Sequence, residues 1–186
     1  MISPSQPPLL AFTRALEFAA HKHTDQRRKG LRAEPYINHL AEVAHLVAEA
    51  TGGEDVEAVI AGLLHDTMED TDTSREELEK MFGPTIAAIV SEVTDDKRLT
   101  RAERKQRQID TAPTASPKAK LVKIADKISN LRSMKVSPPA NWSLSRRREY
   151  FTWAAAVVEG VRGTNATLER LFDEAYHTGL ASLEEE

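Results

Sequence analysis

Apolar residues recur along this chain at helical spacing. Between Leu9 and His23 the positions Phe12, Leu16 and Ala19 fall three or four apart, which predicts a helix with one apolar face. A charged loop follows, "TDQRRKGLRAEPY", broken by Gly30 and Pro35. A second helix is expected from about Ile37, carrying Leu40, Val43, Ala44 and Val47 on one side. "TGG" ends it, as glycine does at helix C-termini. A third runs from about Asp55 through Val56, Val59, Ile60 and Leu63 into "GLLHDTMED". In "TDTSREELEKMFG", Thr73 or Ser74 would cap a short helix with Glu76 and Glu77 in its first turn. Pro84 opens "PTIAAIVSEV", and "LTRAERKQRQID" reads as a solvated helix, charged all round. The clearest amphipathic helix is "KAKLVKIADKISNLRSM", with Leu121, Ile124, Ala125, Ile128 and Leu131 in register. Two more are expected, Ser145 to Glu159 and Thr164 to His177, and the tail "SLEEE" is expected to fray.

No segment alternates apolar and polar residues as a half-buried strand would, and no repeat or internal linker divides the chain. The expected architecture is all-α, a single-domain helical globule of about eight or nine helices. Residues 1–8 are expected to be a disordered N-terminal extension, 9–180 the domain, and 181–186 an acidic tail.

Composition narrows the function classes. With 40% apolar and 29% charged residues, the 186-residue chain can bury a core without staples. It has no cysteine, which excludes disulfides and thiolate metal sites and fits a reducing, cytoplasmic setting. The start, "MISPSQPPLL", is not a secretory signal, and no stretch reaches the roughly 18 apolar residues of a membrane helix. The net charge of −4 argues against a general nucleic-acid binder.

The chemistry concentrates where the third helix runs out. If "GLLHDTMED" is helical, His65 and Glu69 share a face, and Asp66 and Asp70 share one beside it. Carboxylates crowded together repel, and a divalent cation would offset that repulsion; imidazole plus carboxylate suits zinc, manganese or iron. Ordinary solvation of acids near a loop is the alternative. His39, near the start of a helix, also reads as a surface or cap histidine. Asp126 follows Ala125 on the apolar face of its helix, where a carboxylate needs a cation or a partner, and Lys123, three residues back, would serve as that partner.

The order His39, His65-Asp66, Asp126, each on its own helix, resembles the H…HD…D motif of HD-domain metal phosphohydrolases. The blocks "AAHKHTDQRRKG", "PYINH", "LLHDTMEDTDT", "VTDDK", "ERKQRQ", "AKLVKIADKISNLR" and "EYFTWA" narrow the resemblance to RelA/SpoT-type alarmone hydrolases. The small stand-alone, metazoan SpoT-like members are nearest, and the likeness runs from about Leu10 to Leu171. It implies a helical HD domain binding one Mn²⁺ through His39, His65, Asp66 and Asp126. It implies removal of the 3′-pyrophosphate of guanosine tetra- or pentaphosphate, giving GDP or GTP, with Glu69 and Asp70 serving catalysis directly. A chain of this length leaves no room for a synthetase domain, so a hydrolase-only protein is expected.

A polyanionic substrate also needs cations. Lys22, Arg27, Arg28 and Lys29 are the candidates before His39, and a solvated basic loop is the alternative. Lys97 and Arg104 lie in family-like blocks. Asn130 and Tyr150 are carried over as nucleotide contacts. Two positions depart from the family: Leu40 stands where proline is usual, and Ser129 where an aromatic or other large residue is common. Three other functions compete: a phosphatase for another ribose-phosphate nucleotide such as NADPH, a nucleotide-sensing HD module without catalysis, and a helical interaction protein with a basic patch. The sensing module would show degenerate metal positions or lack the Glu-Asp pair, whereas all six positions are present here.

Overall fold

The computed structural model describes residues 7–185. The chain begins α1 (Pro8–Lys22), α2 (Ile37–Ala50), α3 (Val56–Leu64), α4 (Thr67–Asp70) and α5 (Arg75–Phe82). It continues with α6 (Pro84–Val93), α7 (Arg101–Thr111), a 3₁₀ turn (Ala112–Thr114), α8 (Pro117–Val136), α9 (Leu144–Glu159) and α10 (Ala166–Glu184). Among the described residues no strand forms; one isolated bridge pairs Arg27 with Pro35. The fold is all-α. Among the described residues, nine helices have eight residues or more, and α4 is a single turn. No helix among the described residues is long and apolar enough to cross a membrane. Of the expected N-terminal extension, residues 1–6 lie outside the described residues, and Pro8 already belongs to α1.

Polar residues define most helix starts. Asp55, Ser74, Thr100, Ser116, Ser143 and Asn165 each accept a backbone N–H of the first turn, worth about 1 kcal/mol apiece. Ser74, rather than Thr73, caps α5. Gly83 lies between α5 and α6 at φ +90°, a conformation costly for any residue with a Cβ, and Pro84 then starts α6.

The core is organised on α8, which packs against α2, α3, α6, α9 and α10. Its predicted stripe, Leu121, Ile124, Ala125, Ile128 and Leu131, is buried. Each fully buried Leu or Ile contributes about 1.5–3 kcal/mol. Contacts on several sides also bury polar positions of the same helix: Lys123, Lys127 and Ser129 are inside. Asp126 is thereby carried to the edge of the interior. Helix α7 is the opposite case, with no buried residue at all.

Two local expectations are corrected. "GLLHDTMED" is not one continuous helix: α3 stops at Leu64, and α4 starts at Thr67. The carbonyl of Gly62 lies 2.8 Å from His65 Nδ1, and that of Leu64 accepts from the Thr67 hydroxyl at 2.6 Å. Both side chains thus compete for carbonyls that the next helical turn would use. The last helix does not end near His177 but runs to Glu184, with Leu183 buried. Gly179 allows this close approach, because a Cβ there would run into the Phe151 ring. The expected fraying of "SLEEE" is therefore wrong for Ser182 to Glu184.

Candidate metal centre and substrate cleft

Four side chains from three segments converge: His39 in the first turn of α2, His65 and Asp66 in the break after α3, and Asp126 in mid-α8. Asp126 Oδ1 lies 3.3 Å from His39 Nε2 and 3.7 Å from His65 Nε2. Asp66 Oδ2 lies 3.6 and 3.1 Å from the same two nitrogens. Ligand atoms of His39, His65 and Asp126 all fall within 4.8 Å of one another.

The outer nitrogens fix the imidazoles. His65 Nδ1 is 2.8 Å from the Gly62 carbonyl, which can only accept, so Nδ1 carries the proton. His39 Nδ1 is 2.8 Å from Ser129 Oγ. The Ser129 hydroxyl donates to Glu42 at 2.6 Å, and Arg132 binds the other oxygen of Glu42 at 3.1 Å. Ser129 Oγ is then the acceptor for His39 Nδ1–H. In the neutral rings both Nε2 lone pairs face carboxylates. Both Nε2 atoms are buried and lack a hydrogen bond of acceptable geometry. Two imidazole lone pairs opposite two carboxylates are unfavourable without a cation, and this nitrogen and oxygen donor set fits a divalent metal. Without a metal, a proton on His65 Nε2 takes the cation's place: burial alone would lower the His65 pKa, but the facing carboxylates hold it well above the usual value. Burial likewise works against the charge on Asp66 and Asp126, yet the imidazoles, with Lys127 for Asp126, keep both well below the usual carboxylate range.

Ser129 was legible only as a departure from the family pattern; its contact is with His39 of the candidate centre. Ser129→Ala should remove the acceptor that orients His39 and weaken divalent-ion affinity roughly 10–100-fold, as read by competition with a chelating dye.

The outer contacts of Asp126 differ from the sequence reading. Its partner is not Lys123 but the adjacent Lys127, whose Nζ sits 2.8 Å from Oδ2. Lys127 is buried, and its charge also lies 4.6 Å from the Trp153 ring centroid. Lys123 is buried, and burial pushes its pKa down to about 8. Asn130 donates to Asp126 Oδ1 at 2.6 Å and accepts from Arg28 at 2.8 Å. Tyr36, inside the quoted "PYINH" but assigned no role, donates to Asp66 Oδ2 at 2.6 Å.

Beside the centre, Glu69 Oε2 accepts the Asp95 backbone N–H at 3.1 Å. Burial raises the Glu69 pKa to about 7; the N–H opposes the shift, and Asp66, Asp95 and Asp70 reinforce it. Asp70 accepts from Gln26 at 2.8 Å and from Lys97 at 3.0 Å. A cleft of about 220 Å³ opens here, lined by Gln26, Arg28, Lys29, Asp70, Asn130 and Tyr150 among others. The loop before α2 folds back on itself, Arg28 N–H to the Glu34 carbonyl and Tyr36 N–H to that of Gln26, so its cations are presented from an ordered turn.

Of the residues expected to meet substrate, Arg27, Arg28, Lys29, Asn130 and Tyr150 line this cleft. Three do not. Lys22 is engaged by Asp72 at 2.9 Å and Glu77 at 3.4 Å on the α1–α5 side. Lys97 is paired with Asp70, and Arg104 is bound to the Leu99 carbonyl, 3.9 Å from Asp95.

The HD domain family pattern matches residues 15–161. The guanosine-3′,5′-bis(diphosphate) 3′-pyrophosphohydrolase of Drosophila melanogaster is 46% identical over 169 residues, 91% of this chain and 94% of that one. Its Homo sapiens counterpart is 51% identical over 155 residues, covering 83% and 87%. A solved structure, described as a metazoan ortholog of SpoT that hydrolyzes ppGpp and plays a role in starvation responses, superposes with a TM-score of 0.88 at 45% identity. It covers 94% of this chain and 98% of its own. The converging histidines and aspartates thus sit in a chain that matches these relatives almost end to end, and the chain belongs to the HD domain family, in the group of these small pyrophosphohydrolases.

Proposed function

We propose that the protein hydrolyses the 3′-pyrophosphate of guanosine tetra- and pentaphosphate, giving GDP or GTP and pyrophosphate and so ending a stringent-response signal. Mn²⁺ is the proposed ion, held by His39, His65, Asp66 and Asp126, and residues 9–180 are the catalytic domain. The observation that carries this reading is the juxtaposition of the His39–His65–Asp126 cluster with Asp66 against both rings, the Glu69–Asp70 pair and a cleft lined by Arg28 and Lys29. The names of its close relatives support the substrate.

A divalent ion bound there supplies Lewis-acid polarisation of a phosphoryl oxygen and makes a nearby water easier to deprotonate. Glu69 takes the proton of the attacking water. Asp70, braced by Gln26 and Lys97, orients that water. The water oxygen bonds to phosphorus as the bond from phosphorus to the ribose 3′-oxygen breaks in line; pyrophosphate leaves, and the departing 3′-oxygen takes a proton from solvent to end as a hydroxyl. Arg28 and Lys29 balance the substrate's charge, and Arg28 offers guanidinium geometry to phosphate. Tyr150 and Asn130 contact the nucleoside. Lys22, Lys97 and Arg104 stay outside this proposed contact set.

The deciding experiment incubates metal-stripped protein with guanosine tetraphosphate, with and without Mn²⁺, and with NADPH in parallel, resolving products by ion exchange. Mn²⁺-dependent GDP and pyrophosphate are expected. Phosphate released from NADPH alone would replace this reading with a phosphatase. A pH dependence follows as well. The base must be ionised, so kcat should fall about tenfold per pH unit on the acid side. Glu69 sits at about 7, and a bound cation lowers it, so the limb should lie at or below about 7. A profile of kcat against pH at saturating metal and substrate reads it.

A further inference from the structure

Helix α7 buries none of its residues, yet it reaches the catalytic base through one side chain. The Nε2 amide of Gln108 straddles the Asp95 carboxylate, 2.9 Å from one oxygen and 3.0 Å from the other. The backbone N–H of that same Asp95 is the donor to Glu69 Oε2 at 3.1 Å. Two residues on, Lys97 holds Asp70 at 3.0 Å. The connection between α6 and α7 therefore touches both members of the acid pair. Its anchorage to α7 is polar: Gln108, the Arg104 bond to the Leu99 carbonyl at 3.1 Å, and the Thr100–Glu103 capping box.

We infer that Gln108 is a positioning residue for the proposed base, acting on Glu69 through the Asp95 backbone. The inference rests on the hydrolytic reading above and adds a residue to it. A carboxylate that must take a proton at a fixed point needs its own orientation fixed. Glu69 gets it from one N–H, and that N–H is fixed only as well as the loop carrying it. The Asp95 side chain is held by polar groups of α7, Arg104 at 3.9 Å and the much closer Gln108 amide, so Gln108 is the main brace of the backbone that carries the N–H. The charged groups around Glu69 are Asp66, Asp70 and Asp95, all of which oppose its ionisation, so the N–H is also what favours the charged form.

The test compares Gln108→Leu with Gln106→Leu, both on α7. Gln106 bonds only Asp110 of its own helix. Gln108→Leu is expected to lower kcat about tenfold, a fraction of what a general base supplies, with KM and metal content unchanged. The acid limb of the kcat profile should move to higher pH, and exchange of the Asp95 amide should accelerate. Gln106→Leu should change none of these. If Gln108→Leu folds poorly, Asp95→Ala cuts the same link from the other end, and the double variant should be no worse than the worse single. A wild-type kcat and limb in Gln108→Leu, or equal losses in Gln106→Leu, overturns the inference while leaving the hydrolytic reading intact. Absence of pyrophosphate release by the wild type overturns that reading instead, and Asp95 amide exchange then still decides whether Gln108 holds the loop.

Discussion

Asp126→Asn is expected to lose the bound divalent ion and turnover together. Asp126 offers an oxygen that faces both ring nitrogens, 3.3 Å from His39 and 3.7 Å from His65. An amide oxygen in its place is neutral and a poor ligand for a hard dication. Asparagine is preferred to alanine because Lys127 is buried against this carboxylate. Removing a partner from a buried pair typically costs about 3–5 kcal/mol, which would confuse loss of metal with loss of fold. Asparagine keeps the shape of the side chain and one acceptor oxygen, enough for Lys127 or Asn130 though not for both. The measurement is metal content by mass spectrometry after dialysis, with circular dichroism to show the helices intact. Full metal occupancy in the variant would remove Asp126 from the ligand set. His65→Ala should behave the same way.

Glu69→Gln separates the base from the metal. Its oxygen can still accept the Asp95 N–H, so the loop is undisturbed, but the side chain no longer takes a proton. Turnover should drop roughly 10²–10⁴-fold, with metal content and substrate affinity close to wild type. Single-turnover kinetics alongside metal analysis would show it. A variant as active as the wild type would sink the role given to Glu69.

The sequence carried the helices wherever packing is one-sided and periodic. Leu121 to Leu131 and Leu40 to Val47 could be read directly, because a buried face repeats every 3.6 residues. The break at His65–Asp66 could not, since it depends on which donor reaches the Gly62 and Leu64 carbonyls first. The candidate ligands could be picked out by type and order, and they converge, but their supports could not be read. Ser129 finds Glu42 87 positions away, and Lys22 finds Asp72 50 positions away. Such pairings are set by tertiary packing, which local spacing does not encode. Lys123 was a sound helical partner for Asp126 by spacing, yet the crowding around α8 placed Lys127 there.

The unburied state of α7 separates two thermal events. Its attachments to the rest of the protein are one half-buried apolar residue, Ile109, the Trp153 indole on the Lys105 carbonyl at 3.0 Å, cation–π contacts and polar bonds such as that from Gln108. Segments held this way open locally at a small fraction of the global unfolding free energy. Heating would therefore loosen the strap behind Glu69 while α8 stays folded, so warm inactivation would begin as a reversible local event before the core melts.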